Sequence, residues 1–296
     1  MTSAQNGPFI VTGASGQLGR QVIDRLIEGK VGPIIAMTRS PDKLDDLQAR
    51  GVDVRKGDFN DSGSLGSAFA GGRRILIIST DDLTPGARLA AHKNAVAAAQ
   101  AAGVTHIVYT SLINPGADSP ISFAPDHAET ERQIAATGID HTILRNNLYA
   151  DLLVMAGAQS IAIGQHFAAA GDGVTGYVTR ADCARAAADA LMYASGRQTL
   201  DITGPEGVSQ AEVAAILSEL SGKQIPYVPL PAEDLVQAMV GNGLPEFVAR
   251  VFVSFDEAIV QGHLSVAGDD LKTLTGTPGQ SVRHFLTAHK AELVKS

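Results

Sequence analysis

The stretch Pro8-Phe9-Ile10-Val11-Thr12-Gly13-Ala14-Ser15-Gly16-Gln17-Leu18-Gly19 decides the fold of this chain. An apolar run leads into it, and Leu18, Val22, Ile23, Leu26 and Ile27 leave it on one helical face. The pattern is strand, tight turn, helix. Gly13 serves the reversal of the backbone, where a side chain would clash. Gly16 admits a pyrophosphate to the main chain, and Gly19 lets the helix lie close to the sheet. The amides around Ser15, Gly16, Gln17 and Leu18 then meet an anion along the helix dipole. A glycine triplet alone is weak, but between a strand and a helix it predicts a dinucleotide site.

An NAD-selective unit of this kind carries an acid about 20 residues on, at the end of the second strand, for the ribose hydroxyls. Here the second strand, Pro33-Ile34-Ile35-Ala36-Met37, runs into Thr38-Arg39-Ser40-Pro41-Asp42-Lys43. Arg39 stands in place of the acid, and a guanidinium grips a 2′-phosphate through two parallel bonds. Lys43 adds a second charge one helical turn later, so the expected cofactor is NADPH, with NADP preferred over NAD. For both residues the alternative is a solvated loop charge. Asp58 and Phe59 are expected beside the adenine, with Asp58 either accepting from its amino group or simply capping the next helix. The fourth strand ends in Ser79-Thr80, whose hydroxyls and main chain would lie against the cofactor.

With 296 residues, 45% of them hydrophobic, the chain can bury a large core in one domain plus a smaller appended part. A net charge of −8, from 31 acids and 23 bases without a basic run, argues against a nucleic-acid partner. The single cysteine, Cys183, cannot form an internal disulfide and suits a reducing cytoplasm. Among Ala184, Ala186, Ala187 and Ala188 it reads as a small core residue. No uninterrupted apolar run reaches the roughly 18 residues of a membrane span. The start, Met1-Thr2-Ser3-Ala4-Gln5-Asn6, reads as a frayed tail without signal-peptide blocks.

Strand-like and helix-like segments alternate from Pro8 to about Asn146. Strands are expected at Phe9–Thr12, Pro33–Met37, Asp53–Lys56, Ile75–Ile78, Ile107–Thr110 and His141–Leu144. Helices are expected at Gln17–Glu28, Asp42–Ala49, Ser64–Phe69, Gly86–Ala102 and Ala124–Ala136. This alternation implies an α/β fold, a Rossmann-type doubly wound parallel sheet covered by helices on both faces. After Asn147 the alternation breaks down. Arg180-Ala181-Asp182 opens a helix, and Leu200-Asp201-Ile202 reads as a strand rejoining the sheet. Ser209–Leu220 is a helix with a Ser209/Glu212 capping box, Ile225–Val228 a short strand, and Pro231–Met239 and Pro245–Val260 are helices. The expected domains are 1–150, an NADP-binding Rossmann domain that later segments rejoin, and 151–296, a small, mostly helical lobe for substrate. With no low-complexity linker, the lobe is expected to pack closely and leave a cleft for the substrate.

Reduction of a substrate by NADPH needs the acceptor against the nicotinamide, near the ends of strands four to six. Three clusters fall there: Val108-Tyr109-Thr110-Ser111, Asp126-His127-Ala128-Glu129-Thr130-Glu131 and Leu144-Arg145-Asn146-Asn147-Leu148-Tyr149. Many dehydrogenases of this architecture take their proton from a Tyr with a Lys four residues on. Here the five tyrosines are followed at that spacing by Ile113, Leu153, Ala181, Arg197 and Pro231, so the pair is absent. Ser111 is a candidate donor toward a substrate carbonyl or the carboxamide, or else satisfies its own loop. His127 is a candidate proton donor titrating near neutrality, with Glu131 one turn on to orient it. Tyr149 is a candidate pocket wall with a polar tip, or a core tyrosine.

Together the glycine run, Gly57-Asp58-Phe59, Tyr109-Thr110-Ser111-Leu112, Asp126–Glu131, Leu144–Tyr149 and Val178-Thr179-Arg180-Ala181-Asp182 resemble the atypical short-chain dehydrogenase/reductases of the NmrA-like branch. The likeness runs over roughly residues 8 to 290 and is strongest to that branch's reductases of quinones and triphenylmethane dyes. It implies a Rossmann domain with a small lobe, NADPH as hydride donor, and small-molecule acceptors that are flat and electron-poor. Such acceptors take hydride readily and collect a proton from solvent, which makes sense of the missing Tyr–Lys pair. It also implies that Gly13, Gly16, Gly19 and Arg39 hold the cofactor's phosphates, that Ser79, Thr110 and Asn146 line its channel, and that His127 and Tyr149 face the substrate. The acids of Ser79-Thr80-Asp81-Asp82 and the longer loop at Asn114-Pro115-Gly116-Ala117 depart from the pattern where the acceptor is chosen. An oligomer is compatible with all of this. Two other readings stand beside it: a non-catalytic NADP(H)-binding redox sensor, and a carbonyl or imine reductase with His127 as acid.

Overall fold

The computed structural model describes residues 7–84 and 86–294, so the expected tail at 1–6 lies outside the described residues. Every residue of β1 (Phe9–Val11) is buried, as a parallel strand covered on both faces requires. After it come α1 (Gln17–Glu28), β2 (Ile34–Thr38), a 3-10 turn at Pro41–Leu44, α2 (Asp45–Ala49), β3 (Asp53–Lys56), α3 (Ser62–Phe69) and β4 (Arg74–Ile77). The chain continues through α4 (Ala87–Ala101), β5 (His106–Leu112), α5 (Ala124–Ala136), β6 (Asp140–Asn146), α6 (Leu152–Ile163), β7 (His166–Ala168), β8 (Val174–Thr175), α7 (Arg180–Tyr193) and β9 (Arg197–Ile202). It ends with β10 (Val208–Ser209), α8 (Gln210–Ser221), β11 (Tyr227–Pro229), α9 (Ala232–Gly241), α10 (Glu246–Val260), α11 (Asp270–Thr275), α12 (Val282–Ala288) and α13 (Lys290–Leu293).

Seven strands form one sheet in the order β3-β2-β1-β4-β5-β6-β9. Ile10 lies opposite Ile35 on one side and Ile75 on the other, with all three strands parallel. The strand predicted at Leu200–Ile202 does rejoin the sheet, as β9. It runs parallel to β6, because His141 N–H donates to Gly196 and Asn147 N–H donates to Ile202, advancing together. The doubly wound α/β sheet expected from the alternation is therefore present. The order reverses between β1 and β4, which makes their carboxyl ends the topological switch point. Thr12 ties that point together: its hydroxyl donates to the Leu76 carbonyl at 3.0 Å and accepts the Ile78 N–H at 2.9 Å.

The contacts divide the chain into two compact units. The first comprises the chain up to Leu112, Asp126–Arg145 and Ala181–Leu200. Its core includes Ile10, Ile35, Ile75, Ile77, Tyr109 and Ile134. Arg74, buried on β4, donates to the carbonyls of Ala190, Leu191 and Ala194 at 3.1, 2.5 and 2.7 Å, capping the end of α7. Cys183 is buried inside α7. The second unit comprises Ile113–Pro125, Asn146–Arg180 and the chain from Asp201 onward. Leu153, Ile161, Tyr177, Leu217, Phe285 and Leu286 form its main core, and the predicted capping box of Ser209 and Glu212 starts α8.

The expected helix Asp42–Ala49 splits, because Pro41 opens a 3-10 turn and α2 begins only at Asp45. Leu152–Ile163, β7 and the last three helices are elements the sequence reading did not place. Among the described residues no helix is long and apolar enough to cross a membrane.

Candidate cofactor and active site

Gly13 adopts φ +60°, which a side chain would disfavour, and accepts the Gly16 N–H at 2.9 Å. A Cβ on Gly19 would stand 2.5 Å from the Gly13 carbonyl oxygen and 3.0 Å from Cα of Ala14. Gly19 thus lets α1 close on its own loop, whereas the sequence reading had it approach the sheet. Gly16 is the N-cap of α1, no side chain caps it, and no acid lies in the first turn. The leading amides are left for an anion, unopposed by negative charge. Ser15, Gly16 and Gln17 are exposed, and the Leu18 side chain is buried. Thr38 Oγ1 donates to Ser15 Oγ at 3.0 Å, and Ala14 N–H donates to Met37 at 3.0 Å, so the loop is stapled to the end of β2.

Arg39 follows Thr38 and is exposed, as is Lys43. The Lys43 carbonyl accepts from Arg20 at 2.9 Å, and the same guanidinium pairs with Asp46, so α1 sets the turn that carries Lys43. Asp58 Oδ1 accepts the Asn60 N–H at 2.9 Å, while Asp61 caps α3 by accepting from Gly63. The helix-cap alternative for Asp58 is thereby corrected: the chain supplies that cap three residues later. Phe59 packs on the first unit's core, and its carbonyl accepts from Asn94 Nδ2 at 2.8 Å. Ser79 N–H donates to Thr110 Oγ1 at 2.9 Å, with the two hydroxyls 3.2 Å apart. Thr80 N–H donates to Nε2 of His92 at 3.1 Å. The structure thus brings Ser79, Thr80 and Thr110 together at the ends of β4 and β5.

The bond from Thr80 fixes a buried cluster that the sequence reading missed in part. His92 accepts at Nε2, so its proton sits on Nδ1 and is donated to Thr130 Oγ1 at 3.0 Å. Thr130 passes its own proton to the Asp126 carbonyl at 2.7 Å. Tyr109 Oη lies 3.3 Å from His92 Nδ1 and is hydrogen-bonded to His127 Nδ1 at 2.8 Å. Burial brings His92 down to about 3, with the Arg88 charge adding to it. The same two causes hold His127 well below the usual imidazole range. His127 is 3% exposed, so the expectation of a donor titrating near neutrality is corrected: it is a neutral interior imidazole. Nor is it Glu131 that faces its Nδ1. Glu131 takes Arg145 in a two-bond fork, at 3.0 and 2.6 Å, and accepts from Ser111 Oγ at 2.6 Å. Ser111 therefore spends its one proton on a carboxylate, which corrects its reading as a donor toward substrate. The missed signal was periodicity: Arg88, His92, Ala95 and Ala99 fall on the buried face of α4.

In the second unit, Asn146 is 5% exposed; its Nδ2 donates to Tyr149 Oη at 3.2 Å, and its Oδ1 has no hydrogen-bond partner. Arg180 lies over the Tyr149 ring, with Cζ 5.1 Å from the centroid, and pairs with Asp151. A buried carbonyl oxygen left over at the carboxyl end of β6 suits a bound amide or hydroxyl. The uncapped amides of α1 suit a pyrophosphate. The residues present fit a nicotinamide dinucleotide.

A glycine loop at a parallel sheet's switch point, feeding an uncapped helix, defines a dinucleotide-binding protein. The chain belongs to the NAD(P)H-binding family, whose model matches residues 13–193. It is 36% identical over 288 residues to quinone oxidoreductase 2 of Escherichia coli, across 94% of this chain and 99% of that protein. The crystal structure of NADPH-dependent quinone oxidoreductase from Escherichia coli complexed with NADPH matches with TM-score 0.89 and 35% identity, over 95% of this chain and 99% of that one. Triphenylmethane reductase of Citrobacter sp. complexed with NADP(H) matches with TM-score 0.85 and 36% identity, over 97% and 98%. The resemblance drawn from the motifs is borne out.

Proposed function

We propose that this chain is an NADPH-dependent oxidoreductase that delivers hydride to a quinone-like or other conjugated, electron-poor small molecule. The observation that carries the reading is the 3.0 Å bond between Thr38 and Ser15. It ties the end of β2, where no carboxylate stands and Arg39 follows, to the loop that leads into the uncapped amides of α1, and this supports Arg39 as a phosphate ligand. Similarity along nearly the whole chain to reductases of quinones and of triphenylmethane dyes supports the acceptor class.

Bound NADPH supplies the hydride. In this reading the amides at the uncapped start of α1, around Gln17 and Leu18, hold the pyrophosphate, and Arg39 with Lys43 meets the 2′-phosphate. In the first unit Asp58 and Phe59 border the adenine, and Ser79 and Thr110 the nicotinamide ribose; in the second, Asn146 keeps its Oδ1 for a ligand. Within the second unit, Tyr149 forms one wall of the acceptor's place. Orientation of the acceptor against the cofactor is one contribution of the protein to rate. The one buried thiol fits a reducing cytoplasm.

Consumption of NADPH with a panel of quinones and cationic dyes tests the activity, and calorimetry with NADPH and NADH tests the cofactor. Arg39→Ala should weaken NADPH binding about 10- to 100-fold, the worth of a charged fork, and leave NADH binding nearly unchanged. Equal affinities for the two cofactors in the unaltered protein would remove Arg39 from the site. Unequal affinity for NADP and NADPH without any turnover would point to a redox sensor instead.

A further inference from the structure

Hydride transfer to a quinone builds negative charge on one oxygen, and an acid placed to protonate that oxygen as the charge develops lowers the barrier. Resting on the reductase reading above, we propose that Tyr149 donates the proton to this oxygen, held for the task by Asn146, Arg180 and Asp151. The main chain around Tyr149 is fixed by a parallel bridge to Val178. Val178 N–H donates to Leu148 at 3.0 Å, and Ala150 N–H donates to Val178 at 2.9 Å. Asn146 Nδ2 donates to the phenol oxygen at 3.2 Å, so the phenol accepts there and directs its own proton elsewhere. The other edge of the same amide is the buried Oδ1 without a partner. One side chain thus orients the phenol and keeps an acceptor for a ligand.

Arg180 completes the arrangement. Its guanidinium stands 5.1 Å from the ring centroid, within the range of a cation–π contact. Asp151 keeps it there, accepting the Arg180 N–H at 2.8 Å and the guanidinium at 2.9 Å. A cation over the ring and an N–H on the oxygen both favour phenolate over phenol. Those are the two services that a lysine four residues on would render to a catalytic tyrosine. Asp151 takes part of the charge, so the effect is smaller than that of an unpaired cation. The step balances. With hydride from the nicotinamide, the acceptor has gained two electrons and one hydrogen. As that charge builds, the Tyr149 O–H bond breaks and the acceptor O–H bond forms, and water afterwards reprotonates the phenolate.

Ultraviolet titration of the ligand-free protein, with Tyr149→Phe subtracted, isolates this phenol. The background is favourable, since burial pushes Tyr109 and Tyr227 up and brings Tyr177 up to about 12. Tyr149 should ionise below the free value of about 10. Arg180→Met should raise its midpoint by about one pH unit, a tenfold change in ionisation, and Arg180→Lys should restore most of it. In turnover, Tyr149→Phe should lower kcat about 100-fold for a neutral quinone with little change in KM, and far less for a cationic dye, which takes hydride without needing a proton. A phenol that titrates at or above the free value and ignores Arg180→Met overturns the proposal, whatever acceptors are reduced. Equal losses on quinone and dye overturn it too. A low-titrating phenol in a protein that reduces no acceptor would instead sink the reductase reading, and with it the oxygen to be protonated.

Discussion

Leu in place of His92 would fill a site that is fully buried and remove its hydrogen bonds to Thr80 and Thr130. Thr80 would keep an N–H with nothing to donate to, and Thr130 would lose the proton it receives. The cost should be about 2 kcal/mol of unfolding free energy, the penalty of buried polar groups left unmet, read by urea denaturation. An unchanged midpoint would mean that the cluster is ornamental. The same neighbourhood shows why single residues are only half legible in sequence. Gly13 could be placed because its left-handed turn follows from position along one strand–turn–helix unit. Glu131 could not. Its spacing pointed to His127, one helical turn away, but Arg145 arrives from β6 with a full charge and a two-pronged donor. A neutral imidazole does not compete with that. The partner that wins lies across the fold, where spacing within a helix says nothing.

Among the elements, α7 ends against a strand residue. Arg74 satisfies three of its terminal carbonyls from within the sheet, and burial lowers this guanidinium to about 10, still charged at neutral pH. Arg74→Met should cost about 3 kcal/mol, since three oriented carbonyls lose a charged donor that spans them. A chemical denaturation curve, with the helical circular dichroism signal as probe, would measure it. Where an element announces itself locally, its limits are legible: α1 and α5 occupy the spans read from sequence. Leu152–Ile163 escaped because it contains no charged residue and exposes Met155 and Ile163, so no polar face marks its period. The three-residue strand β7 escaped for another reason. It pairs with β11, far along the chain, and a pairing of that range leaves no mark on either segment alone.

At the scale of the whole molecule, burial of imidazoles sets the response to acid. His92 is lowered to about 3, His106 to about 4, and His127 and His166 are lowered too, all chiefly by burial. Below about pH 6.5 the unfolded chain takes up protons that these folded sites refuse, so stability falls as pH falls. Each such group contributes up to about 1.4 kcal/mol per pH unit. Asp256, brought up to about 6 by burial, acts in the opposite sense between its free value and 6, and offsets one of the four. Urea melts should therefore show stability at pH 5 lower than at pH 7 by about 2 kcal/mol or more, and His106→Gln should flatten that slope. A protein equally stable at both values would show that these rings are reached by water.

Cys183 is the chain's single thiol, enclosed within α7 at 1% exposure. Quinones are Michael acceptors and arylate accessible thiolates, so an enzyme handling them is exposed to covalent poisoning by its own substrate. A thiol shut inside a helix among alanines presents no nucleophile while the fold is intact. The packing that makes α7 compact also keeps the chain's one thiol out of reach of the compounds this protein would consume.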